Sequence, residues 1–406
     1  MTSEATQTAP IERRRVLTAI AGLGVTQIIG WGTTFSTLTI FGSTIGEDLR
    51  LSREVVFSGI TVMLLSSALV ATRVGRYADM NGARPVMITG SLLAAASMIA
   101  LAFTQGVLTH LLAWILVGLA MPMMLANTAL VGLVQIVGSN ARRAITGLML
   151  INGLTGTVFL PLNALLIGTI GWRNAYLCFA LLHLLVCVPI HALILRGRAP
   201  EPRSDGPAVS DRTIDGLLPP DKRFMAFVML TIWSCAEGLI VWGLYIQVVD
   251  VFKSVGLSAA AAVGVWAMVG PSQALARFGE LLLGGRYSIL STALVSALLS
   301  CASFLFILPF DISVTTAAAF SICLGLGHGF YAIARNTLPL TLFGVREYGT
   351  YLGRMMLPQN IVNAIAPIVF ATIISRFDPT GALWLAGAAA LAGFVAVLFL
   401  MRICRM

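Results

Sequence analysis

Glu237 is the lone acidic residue in the apolar run from Phe224 to Val249. A carboxylate within a membrane segment is costly and marks a functional site by default, proton relays included. The plainer alternative is a structural carboxylate hydrogen-bonded to a neighbouring helix. Arg335 and His328 are seven residues apart in a second apolar run, hence on one helix face. A guanidinium turned toward a cavity binds an oxyanion well. Three roles fit Arg335: contact with an anion, an ion pair with Glu237 or Glu280, or snorkelling to the interface. His328, between Gly327 and Gly329, fits a proton site or close helix packing. Gln27, Trp31, Asn127, Asn152, Tyr331 and Gln359 are uncharged candidates for lining the same cavity, with ordinary interhelical bonding as their alternative. These types suit a small organic anion, such as a monocarboxylate, moved with a proton. They also suit efflux of a drug or toxicant in exchange for a proton.

A second set lies in GRYADMNGAR, from Gly75 to Arg84. Gly75 and Gly82 permit a tight turn and close helix approach. Asp79 can face the N-terminus of another helix and its dipole. With Arg84 these residues fit a tight, charged turn between two helices; a solvated turn is the simpler reading. Arg277 and Glu280, spaced i, i+3, repeat the pattern in weaker form, or make a local pair.

The elements that hold these residues are membrane helices. The chain is 58% hydrophobic and 11% charged, against about 25% charged for a soluble domain. Apolar runs of about 20 residues recur, each long enough to cross a bilayer as a helix. We expect an all-α membrane protein of twelve transmembrane helices, at 16–41, 55–72, 85–103, 108–136, 144–170, 175–195, 224–249, 259–283, 288–310, 314–342, 355–375 and 382–401. Arg13–Arg15 precede an apolar run too long for a signal-peptide core, so it reads as a first membrane helix. The linker Arg196–Arg223 is polar, rich in proline and charge, and reads as a flexible connector. It gives an N-terminal half (1–195), a cytoplasmic linker (196–223) and a C-terminal half (224–406). The six cysteines show no paired spacing, so neither a disulfide framework nor a metal site is expected. No cofactor is expected either.

Charge sets the orientation. With both termini inside, nineteen of the 26 basic residues fall on the cytoplasmic side and five outside, with Arg277 and Arg335 inside helices. The net charge of +9 therefore points to the membrane rather than to nucleic acid. The halves also echo each other. Gly147 and Pro161 recur as Gly353 and Pro367, Asn127-Thr128 as Asn336-Thr337, and Trp31-Gly32 as Trp242-Gly243. A parallel repeat places a binding site between the halves near the bilayer midplane. No GxxxxGK[ST] or HExxH occurs, which weighs against an ATP-driven pump and an intramembrane metalloenzyme. The repeat weighs against a channel.

The chain resembles the major facilitator superfamily of secondary transporters over its whole length. The family's loop signature runs Gly, three residues, Asp, a base, two residues, then Gly and two arginines; Gly75, Asp79, Gly82 and Arg84 fit it, while Met80 and Ala83 depart from it. ARRAITGL from Ala141, GWRNAY from Gly171 and NTLPLTLFG from Asn336 resemble a bacterial subgroup, some of whose members export trivalent arsenic compounds. The central arginine of the fourth helix and the Gly-Pro pairing of the fifth, both common in drug antiporters, are missing. The resemblance implies alternating access in the inner (plasma) membrane by a monomer, with a small-molecule substrate and a proton as partners. It also implies that Gly75, Asp79, Gly82 and Arg84 form a gate in which Asp79 meets the eleventh helix, starting near Gly353, where Arg354 offers an ion-pair partner, with Arg277 and Glu280 as the second-half counterpart.

Overall fold

Backbone groups in hydrocarbon must pair within their own segment, so the apolar runs fold as helices. The computed structural model describes residues 3–138, 141–195, 218–284, 286–309, 311–376 and 379–405; most of the expected linker lies outside these. The helices are α1 (Ser3–Leu49), α2 (Arg53–Asn81), α3 (Ala83–Ala102), α4 (Val107–Met124), α5 (Ala126–Val137), α6 (Arg142–Asn152), α7 (Thr155–Leu182) and α8 (Val188–Ile194). After the linker come α9 (Pro220–Leu239), α10 (Tyr245–Ser254), α11 (Ala259–Trp266), α12 (Val269–Leu283), α13 (Ile289–Leu305), α14 (Val314–Phe343), α15 (Tyr348–Arg376) and α16 (Pro379–Arg405). Among the described residues there is no strand, and ten helical stretches are long and apolar enough to cross a membrane.

Several expected helices are interrupted, each for a local reason. The fourth run breaks at Leu125, whose backbone is extended, three residues after Pro122. The fifth and sixth runs are separated within α7 by Gly171, at φ 75°. Arg173, two residues on, ion-pairs with Asp48 of α1 and donates to the Thr104 carbonyl after α3. Its guanidinium lies 4.1 Å from the Trp172 ring. That one arginine ties the ends of α1 and α3 to the turn. Two π-helical turns, His183–Cys187 and Ile240–Leu244, link α7 to α8 and α9 to α10. Such turns often accompany functional sites, and the second follows Glu237 by three residues.

The chain divides into two compact units. One comprises Met1–Asp215 with Gly344–Leu357, the other Gly216–Phe343 with Pro358–Met406. In the first, α1 packs on α7, and α4 on α2 and α3. In the second, α14 packs on α12 and α13, and α16 on α9. The second unit's core gathers Ile240, Leu244, Val248, Phe252, Phe320 and Phe370, all fully buried.

Candidate functional site

Asp79 lies two residues before the end of α2 and accepts three hydrogen bonds from the start of α15, within the first unit. Oδ1 takes the Gly349 N–H at 2.8 Å; Oδ2 takes the Thr350 N–H and hydroxyl, each at 2.7 Å. The first N–H groups of a helix have no partner in it, and a carboxylate there also meets the positive end of the dipole. The capped start is at Tyr348, five residues earlier than expected, because Asp79 satisfies the amides that would otherwise fray. The contact is backbone on backbone. A Cβ at Gly75 would strike the Gly349 carbonyl, and one at Gly353 the Ala71 carbonyl. A Cβ at Gly349 would come within 2.7 Å of Asp79 Oδ1. Gly349 and Gly353 thus form the small-xxx-small pattern that lets membrane helices touch. Arg354 does not pair with Asp79; it is exposed, 5.8 Å from the Tyr351 ring. Gly82 adopts φ 86° between α2 and α3, and the Arg84 Nε beside it is buried without a partner.

In the second unit the charged candidates come together. Glu237 is buried, and its Oε2 lies 3.7 Å from His328 Nδ1, with side chains 3% and 16% exposed. That is an ion-pair distance when the imidazole is protonated but too long for a hydrogen bond. Both atoms otherwise lack partners. One turn along α14 from His328, the Tyr331 hydroxyl donates to the Ser234 carbonyl at 3.4 Å and accepts from Gln359 Nε2 at 3.3 Å. Gln359 Oε1 in turn accepts from Arg335 at 2.5 Å, and Arg335 also donates to Asn336 Oδ1 at 3.0 Å. Arg335 pairs with neither Glu237 nor Glu280. Among the described residues its hydrogen-bond partners are neutral amides, and its buried Nε has none. The rings of Tyr245, His328, Tyr331 and Trp233 follow one another at 5.1–5.9 Å between centroids.

Arg277 turns back to Gln273 at 3.2 Å instead of forward to Glu280. Glu280, buried, accepts from Tyr287 at 3.0 Å and from Thr292 at 3.3 Å, holding the α12–α13 turn. Tyr245 and Gln273 escaped the sequence reading; a glutamine one turn before Arg277 in an apolar run was the available signal.

The uncharged candidates of the first unit are Gln27, Trp31, Asn127 and Asn152, and the buried Gln27 Oε1 has no partner. Gln27 is fully buried, and its Nε2 donates at 3.0 Å to the Met124 carbonyl, freed where α4 breaks. Asn152 accepts from Thr155 at 3.3 Å. Trp31 stacks on Phe35, with Nε1 unpartnered, as is Asn127 Nδ2. Gln27→Leu is expected to lower stability by about 1–3 kcal/mol, the cost of a stranded buried carbonyl. A lower thermal midpoint in detergent checks this; lost transport at an unchanged midpoint would instead make Gln27 a site residue.

The sequence model of the Major Facilitator Superfamily matches residues 23–323. The chain belongs to that superfamily. It is a multi-pass integral membrane protein with the superfamily's transporter fold. Solved structures similar to this superfamily member include the human organic anion transporter MFSD10 (TETRAN), at 15% identity and a TM-score of 0.68, covering 95% of this chain and 99% of that one. FucP in an outward conformation gives 14% and 0.70, with the same coverage. The proton:xylose symporter XylE bound to 6-bromo-6-deoxy-D-glucose gives 14% and 0.72, over 97% and 96%. At these identities the likeness concerns the fold alone. No curated protein matches the sequence.

Proposed function

We propose that this chain is a secondary active transporter that moves a small organic anion, such as a monocarboxylate, together with a proton. The observation that carries the reading is Arg335: a partly buried cation, oriented by Gln359 and Asn336, with neutral partners only among the described residues. A buried charge is costly unless it is paired, and a guanidinium held in place by amides offers its remaining donors to a carboxylate. Glu237 and His328, one network away, are the proton site. The anion and the proton then compensate each other's charge.

We read the chain as crossing the bilayer twelve times. The break at Gly171 and the shorter apolar helix Ile289–Leu305 support two crossings beyond the ten long stretches. The basic asymmetry supports cytoplasmic termini in the plasma membrane. Equivalent Gly–Phe contacts support two repeated halves (1–195 and 224–406): Gly32 against Phe159 in one, Gly243 against Phe370 in the other. The Asp79 seam is the gate, and alternating access in a monomer is the mechanism.

The test is flux in proteoliposomes with an imposed pH gradient, run against carboxylates, amphiphilic drugs and arsenite. Carboxylate uptake driven by the gradient is expected. Glu237→Gln is expected to abolish uphill accumulation while leaving counterflow exchange. Unchanged accumulation with the same pH dependence would remove Glu237 from the proton path. Gradient-driven arsenite or drug flux without carboxylate flux would replace the anion reading.

A further inference from the structure

We infer that the groove between α13 and α16 binds an anionic phospholipid, with its phosphate on Arg402 and an acyl chain along the apolar wall. Val395, Leu398, Phe399 and Arg402 fall at i, i+3, i+4 and i+7 of α16, so they form one stripe. With Leu294 and Met401 they bound a groove of about 450 Å³. The stripe faces outward: Val395, Leu398 and Phe399 are all exposed. On α13 the small polar residues turn the other way. Thr292, Ser296 and Ser300 are buried, and Ser296 Oγ donates to the Gly327 carbonyl of α14 at 2.8 Å. The groove is therefore a lipid-facing feature of the second unit, separate from the Glu237–Arg335 network.

Its occupant is read from the order of its walls. Hydrocarbon lines the groove along α16, and one exposed guanidinium closes it at the last turn, 5.9 Å from the Phe399 ring. Leu294 is in the second turn of α13, so the start of α13 and the end of α16 lie at the same end. Exposed Arg286, three residues before α13, joins Arg402 there. Lys222, in the first turn of α9, is within electrostatic reach of Cys404, two residues past Arg402. Of the described acids at this end, Glu280 is engaged by Tyr287 and Thr292, and Asp221 neighbours Lys222. An apolar slot ending in a basic rim matches an anionic amphiphile, whose chain and phosphate come in that sequence along the membrane normal. A partner helix would leave Arg402 to be neutralised by some other group. A phospholipid carries its own anion.

The full-length chain in detergent, titrated with dioleoylphosphatidylglycerol or dioleoylphosphatidylcholine and read by native mass spectrometry, tests this. The anionic lipid is expected to bind about fivefold more tightly, roughly the worth of one basic residue near the membrane surface. Arg402→Gln removes that preference. Leu398→Trp, which fills the groove, weakens both lipids, and glycerophosphate without chains does not compete. Equal binding of the two lipids by the native chain, or a preference that survives Arg402→Gln, overturns the proposal. So does a dimer that forms on lipid stripping and disperses with Leu398→Trp, since that makes a second copy the occupant. Arg402 is exposed, so its variant carries the test even if Leu398→Trp does not fold.

Discussion

Replacing Asp79 by asparagine is expected to slow transport turnover by about tenfold or more while leaving substrate affinity within about threefold, because hydrogen bonds to a charged group contribute about 1.5–3 kcal/mol each. Asp79 makes three of them. An asparagine keeps one acceptor oxygen but sets an amide NH2 against a backbone N–H, so at least one bond becomes a clash of donors. The effect falls on turnover because Asp79 contacts the start of α15 and not Arg335 or Glu237. Two companions grade the result. Thr350→Val removes the hydroxyl bond but keeps both N–H bonds and adds no clash of donors, so its turnover is expected to fall less than that of the asparagine variant. Gly75→Ala drives a Cβ into the Gly349 carbonyl and parts the seam with the carboxylate intact. Its turnover therefore falls with that of the asparagine variant. Radiotracer exchange and equilibrium binding on the same preparations separate the two quantities. Abolished binding in a folded Asp79→Asn protein would mean that the residue is no gate.

The second large effect is expected at Arg335. Its conversion to glutamine should weaken anion binding by about 10- to 100-fold, the range set by loss of one charged hydrogen-bonding partner. Arg335→Lys restores only part of this. Lysine keeps the charge but presents a single point donor where Gln359 and Asn336 orient a planar fork. Gln359→Leu should cost less than Arg335→Gln but in the same direction, since it frees the guanidinium without removing it. Isothermal titration with a panel of carboxylates, beside their neutral amides, measures the difference. A variant that binds the carboxylates as well as the native chain would return Arg335 to a structural role.

Segment polarity made the helices and the Gly75–Arg84 signature legible, because both are written in consecutive residues. What the sequence could not show is register between helices. Gly349 and Gly353 were visible as glycines, yet their role depends on meeting Ala71 and Gly75 about 280 residues away. Arg354, the only charge at the start of the expected eleventh helix, drew the ion-pair reading. The structure fills that place with backbone amides, which carry no residue-type signal. Gln359 and Tyr331 stood as separate candidates; their linkage to Arg335 rests on how α14 meets α15. Gln27 is polar in an apolar run, which fits a cavity or a helix contact alike; its Nε2 meets the carbonyl freed where α4 breaks, a partner that only the fold reveals.

The glycine seam has a kinetic side. Gly75, Gly349 and Gly353 bring no side chains to the line where α2 meets α15. The glycines have no rotamers to freeze, so the side-chain entropy lost when the contact forms falls on residues such as Asp79 and Thr350. At the glycines themselves no side-chain ridge has to climb over another when the helices part. If this seam is the proposed gate, the pace of each opening is set by how fast water replaces the amides around a single carboxylate, and Asp79 is its clock as well as its catch.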